Sequence, residues 1–182
     1  RFPALRGVSL AVAGGEILGI AGIEGNGQRE LAECIAGLRP HLRGEIVIAG
    51  RHMSGRTARE HFAAGLAHIP SDRLRDGLVP GMSLAENLAL GRHHEPALGK
   101  GPFLSHRAMG ARAATLLAEY DVRPPSPGLL AAQLSGGNQQ KLIAARELSR
   151  GARVLLVAHP TRGVDLAALR GDPRYKAIIN RI

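Results

Sequence analysis

Gly22 and Gly27, with four residues between them, follow the short apolar run Ile17–Ala21 and precede a helical pattern that begins at Gln28. Glycines in such a turn adopt conformations that aim backbone N–H groups inward, at the oxygens of a phosphate. A helix opening beside them adds the positive end of its dipole. The spacing matches a phosphate-binding loop, whose full form is GxxxxGK(S/T) between a strand and a helix. Gly22, Glu24, Gly25, Asn26, Gly27, Gln28 and Arg29 are therefore candidate nucleotide-binding residues. Taken alone the loop has a plainer alternative, because glycine-rich strand-to-helix turns also serve tight packing.

The side-chain half of that pattern is missing. Gln28 occupies the lysine position and Arg29 the hydroxyl position. A charged hydrogen bond contributes about 1.5–3 kcal/mol, and a neutral one about 1. Replacing the lysine by Gln28 should then cost about one to two decades of nucleotide affinity. Guanidinium has no free lone pair, so Arg29 cannot stand in for the hydroxyl that would hold Mg²⁺.

A second anion-receiving helix start lies at Leu134-Ser135-Gly136-Gly137-Asn138-Gln139-Gln140-Lys141. Ser135 suits the N-cap. Gly136 and Gly137 leave the first amides uncovered for close approach. Its plainer alternative is an ordinary cap with a flexible turn.

These residues need elements to hold them. Val8–Val12 alternates as a half-buried strand does, and Ile17–Ala21 reads as a buried strand. Leu31, Ile35 and Leu38 fall on one face of a helix from Gln28 to Leu38, ended by Gly37 and Pro40. Gly44–Gly50 and Leu66–Pro70 read as strands, with a short helix from Thr57 to Ala64 between them. Ser83 and Glu86 form a capping-box pattern for a helix over Met82–Leu90. Further helices are expected over Ser105–Tyr120 and Asn138–Ser149, and an apolar strand over Arg153–Ala158. This order predicts an α/β sheet with an inserted helical subdomain.

The 182 residues suit one domain. No run approaches the roughly 20 apolar residues of a membrane span, and no signal peptide is read at Arg1-Phe2-Pro3-Ala4, which leads to the expectation of a cytoplasmic protein. The single cysteine, Cys34, lies in a helical pattern and reads as a small packing residue. A net charge of +9 could signal nucleic acid, but the arginines are scattered. Trp is absent, and few aromatic side chains are left for base stacking, so no nucleic-acid partner is expected.

LSGG followed by Asn138-Gln139-Gln140-Lys141 resembles the signature motif of ATP-binding-cassette (ABC) proteins, in the form found in sugar and nucleoside importers. Glu16–Gly22 and Gly25-Asn26-Gly27-Gln28 are similar to the same family, and to the second, degenerate cassette of its two-cassette chains. The resemblance runs from about Leu5 to about Leu169. It implies the P-loop NTPase ABC-cassette fold, with residues 1–74 and 141–169 as ATPase core and 75–140 as helical and signature subdomain. It implies ATP and Mg²⁺ as ligands and a first cassette and transmembrane permease subunits as partners. A substrate-binding protein would act indirectly, and the site of action would be the cytoplasmic face of a bacterial inner membrane. Two such cassettes face head to tail, so Leu134, Ser135, Gly136, Gly137, Asn138 and Gln139 would hold the γ-phosphate of ATP bound by the partner.

The family's apolar strand ends in Asp-Glu-Pro-Thr, where the Asp helps hold Mg²⁺ and the Glu polarises water. The matching positions here are Ala158-His159-Pro160-Thr161. His159 is either a general base or a polar contact to phosphate without catalytic duty. Asp165 matches the loop that crosses the dimer interface. Ser71 stands where the family carries a Gln or an acidic residue that senses Mg²⁺ and water. The resemblance thus implies a transport-coupled ATPase whose own half-site is weak or inactive. A soluble ABC protein acting on RNA or the ribosome, and an inactive cassette fragment, are the alternatives. Residues 170–182 depart from the family's pattern, which leads to the expectation of a chain incomplete at both ends whose sheet lacks strands at its far edge.

Overall fold

The computed structural model describes residues 5–23, 25–40, 43–100, 103–158 and 176–181. Glu24, His159 and Asp165 lie outside the described residues. The described residues before Asp72 and after Ser149 form one compact unit, and Asp72–Ser149 forms a second.

The first unit is built on a parallel sheet. Strands β1 (Ile17–Ala21), β4 (Leu66–Ile69), β7 (Val154–Ala158) and β8 (Lys176–Arg181) run in the order β1-β8-β7-β4. Every residue of β7 is buried, as expected for an inner parallel strand. The register pairs Ala21 with Arg181, Ala158 with Asn180, and Ile69 with Val157, so the carboxyl ends of all four strands share one edge. Ligands of open α/β sheets bind outside that edge.

Helix α1 (Gln28–Ile35) packs against β7. It stops at Gly37, whose φ of 70° is the left-handed conformation that glycine tolerates. There Leu38 N–H donates to Glu33 O at 2.8 Å and Gly37 N–H to Cys34 O at 3.1 Å, the paired bonds of a Schellman ending. A hairpin of β2 (Val47–Ile48) and β3 (Arg51–His52) follows. Helix α2 (Ala58–Ala63) then begins with a full capping box from Thr57 and Glu60. Ala32, Ala36, Ile48, Met53, Ala64, Leu66, Val154 and Leu156 form the apolar core of this unit. His61, 1% exposed, fixes the loops to it; its ring nitrogens lie 2.8 Å from Ile35 O and 3.0 Å from Met53 O.

The second unit packs α3 (Leu84–Ala89) against α4 (His106–Glu119) and α5 (Gly136–Leu148), with a small hairpin of β5 (Gly99–Lys100) and β6 (Phe103–Leu104). Leu84, Leu98, Leu117, Leu142 and Ile143 are fully buried, each contributing about 1.5–3 kcal/mol. Ser83 and Glu86 cap α3 reciprocally. Buried Asn87 accepts from Val79 N–H at 2.9 Å and donates to Val79 O, Met82 O and Ser83 O, which ties the chain before α3 onto the helix.

Two sequence expectations change. Val8–Val12 forms no strand: Val8 is 50% and Leu10 39% exposed, and only Val12 packs on the core. Alternation marks a strand only where a neighbouring backbone completes the ladder, and none of the described strands pairs with this stretch. The stretch after Leu169, which departs from the family's pattern and from which no strand was expected, contributes β8 between β1 and β7 in its described part.

Candidate functional site

The phosphate-loop candidates follow β1 at the carboxyl edge of the sheet. Gly25 and Gly27 hold φ values of 92° and 96°, which side chains with a Cβ resist. Gly27 is the N-cap of α1, and no side chain caps the helix. The first amides of α1 are thus left to other acceptors, as a phosphate would supply.

Gln28 does more than replace a lysine. Its Nε2 donates to Ile23 O at 3.0 Å, folding the amide back over the loop. The same amide lies so close to Gly22 that an added Cβ there would collide with it. Gln28 therefore closes the loop onto itself with one N–H and retains one for a ligand.

Arg29 turns away along the helix. Its Nε donates to Glu33 Oε1 at 2.8 Å, and Glu33 also accepts from Arg39 Nε at 2.7 Å. Burial pushes the Glu33 carboxyl up, but the hydrogen bonds from Arg29 and Arg39 outweigh it and hold the group below the ordinary range. Glu33 stays charged and keeps the Arg29 guanidinium paired.

Ala158, 7% exposed at the end of β7, presents a methyl group where the family carries an aspartate. Among the described residues, no group of three or more His, Cys, Asp or Glu could hold a metal ion. A guanidinium paired with Glu33 and a methyl group do not fit a Mg²⁺ site. Ser71 follows β4 at the same sheet edge, half-buried. Cys34 is partly buried, and burial raises its thiol above the ordinary range, which keeps it protonated.

The signature candidates open α5 in the second unit. Ser135 is the N-cap, at φ −61° and ψ 156°. Its Oγ accepts from Asn138 N–H at 3.4 Å and from Asn138 Nδ2 at 3.1 Å. A hydroxyl has two acceptor positions and one donor. Asn138 fills both acceptor positions, which leaves the Ser135 hydrogen for an incoming anion. Asn138 is itself oriented by Arg123 N–H, which donates to its Oδ1 at 2.8 Å. Gln139, 6% exposed, donates to Ala131 O at 3.2 Å. Leu134 is buried and anchors the turn.

Lys141 is committed elsewhere: its Nζ donates to Asp121 O at 2.8 Å and to Asp121 Oδ2 at 2.7 Å. Hydrogen bonds from Lys141 and then Arg123 pull the Asp121 carboxyl down to about 2. Lys141 thus supports the turn between α4 and α5. Sequence reasoning did not assign a site role to Arg73, whose Nε donates to Gln139 Oε1 at 2.9 Å and whose guanidinium lies over Gly136. The two positions are far apart in the chain, so no local pattern reveals the contact.

A parallel sheet with a glycine loop at its carboxyl edge, and a glycine-opened helix in a separate helical unit, define a nucleotide-binding cassette of the P-loop NTPase type. The family of ABC transporters matches residues 5–162, and the chain belongs to that family. It is 42% identical over 165 residues to the nucleoside import ATP-binding protein NupA of Lactococcus lactis subsp. cremoris, covering 91% of this chain and 33% of that protein. It is 42% identical over 165 residues to the guanosine import ATP-binding protein NupO of Bacillus subtilis, covering 91% of this chain and 32% of that protein. The chain thus spans about a third of the length of the curated relatives it matches. The fold is also that of the dimeric ATP-binding cassette MJ0796 bound to ADP and Pi, with a TM-score of 0.76 and 22% identity over 98% of this chain and 80% of that one.

Proposed function

We propose that this chain serves as an ATP-binding part of an ABC importer for a nucleoside or simple sugar, in the role of the second, degenerate cassette. The first cassette would face it head to tail. Ser135, Gly136 and Gly137 would then meet the γ-phosphate of ATP held by the first cassette's phosphate loop, while Gly22–Gly27 would hold a second ATP through backbone amides. Hydrolysis falls to the site completed by the signature. The half-site at Gln28 and Arg29 is weak or inactive, with Mg²⁺ held weakly or not at all. Closing and reopening of the pair would move transmembrane permease subunits at the cytoplasmic face of a bacterial inner membrane, with a substrate-binding protein acting upstream.

One observation carries this reading. The signature helix keeps a free hydroxyl donor and open amides, whereas the phosphate loop is folded over by Gln28. Among the described residues no helix is long and apolar enough to cross a membrane, which suits a chain docked onto membrane subunits. The test mixes this chain with an intact nucleoside-importer cassette and follows ATP-dependent pairing by light scattering. Pairing with ATP but not ADP is the expected result. An absence of pairing at saturating ATP would refute the proposed role.

A further inference from the structure

The guanidinium of Arg73 stands where a cation is out of place. It lies in the turn before α3, half-buried, and its Nη2 is 2.9 Å from where a Cβ on Gly136 would sit. Gly136 is the first residue of α5, so a full positive charge is held against the positive end of that helix. The placement is directed: Arg73 Nε donates to Gln139 Oε1 at 2.9 Å, and buried Gln139 is itself anchored to Ala131 O at 3.2 Å. Asp72, the neighbouring carboxylate, turns its Oδ1 to Leu74 N–H and Arg75 N–H, both at 3.1 Å. Among the described residues no carboxylate lies within ion-pair distance of Arg73. The Nη2 end of the guanidinium thus faces Gly136 at the start of α5 with no carboxylate to neutralise it among the described residues.

A cation buttressed against a helix N-terminus is stable when an anion completes the arrangement. We infer that Arg73 is a further phosphate-binding residue of the signature site, held by Gln139 so that its guanidinium and the start of α5 grip one terminal phosphate together. This inference rests on the reading of Ser135 as the receiver of that phosphate. It also gives Gly136 a reason to be glycine, because any Cβ would push the guanidinium away. The extra charge would favour a triphosphate end, with its higher charge, over a diphosphate presented from the same partner.

The test uses the whole chain and sodium tripolyphosphate as probe, read from the amide resonances of Gly136 and Gly137, with those of Gly25 and Gly27 as internal reference. Arg73→Ala should weaken binding at the signature amides about ten- to a hundredfold, the range of one charged hydrogen bond, and leave the reference unchanged. Arg73→Lys should recover part of it. Gly136→Ala, which displaces the guanidinium without removing it, should reproduce much of the loss and covers the case in which Arg73→Ala fails to fold. Equal affinity at Gly136 and Gly137 in the native chain and the folded variants would overturn the inference and leave the signature reading standing. No shift at those amides even in the native chain would overturn both.

Discussion

The starts of α1 and α5 are the same device in two conditions. Helix α1 follows Gly25 and Gly27, and α5 opens with Gly136 and Gly137, so each leaves its first amides uncovered. At α1 the cap is Gly27, with no side chain engaged, and the Gln28 amide bonds Ile23 O across the loop. At α5 the cap is Ser135, organised by Asn138, with Arg73 delivered to Gly136 by Gln139. One start offers backbone amides without a lysine, while the other carries a cation where the dipole alone would oppose one. A glycine pattern by itself therefore reports fold more surely than activity.

The contrast breaks most sharply at Ser135. Ser135→Arg fills the site with a second cation and a long side chain, and ATP-driven pairing with an intact cassette should fall by about a hundredfold or more. Light scattering against ATP concentration reads the change. Restoring the other side gives the next largest effect. Gln28→Lys with Arg29→Ser should tighten ATP binding by about one to two decades and make it Mg²⁺-dependent, as followed by calorimetry. An affinity that does not move would mean that the loop's closure by Gln28 is not what weakens it.

Two smaller predictions separate the units by stability. His61→Leu leaves Ile35 O and Met53 O facing an apolar side chain and should destabilise the first unit by about 1–3 kcal/mol in urea unfolding. Signature-site anion binding should be unaffected. Asp121→Asn loosens the turn behind the signature instead. The folded carboxyl titrates near 2, below its ordinary 3.8, so its stabilising effect is fully present above pH 3.8 and lost as pH falls through 2. Thermal melting should show a gap between native and variant chains that is constant above about pH 4 and closes below it.

Much of the fold was legible because its signals are local. The capping box at Ser83 formed where its spacing placed it, and the apolar run at Val154–Ala158 became a buried strand. Both glycine sites sit at helix starts, as their sequences require. What escaped was non-local. Val8–Val12 has a strand's alternation and no strand beside it. Ala177-Ile178-Ile179 was a readable apolar run, but the mismatch of its preceding residues with the family pattern hid a strand that β1 and β7 complete. The Arg73–Gly136 contact depends on how the turn before α3 meets α5, which no spacing rule encodes.

The most direct measurement of the asymmetry between the two helix starts is single-turnover ATP cleavage with Mg²⁺, by this chain alone and then mixed with an intact importer cassette. The expected result is cleavage at background level alone, and turnover in the mixture that Ser135→Arg abolishes. Rapid cleavage by the chain alone, insensitive to Ser135→Arg, would contradict it.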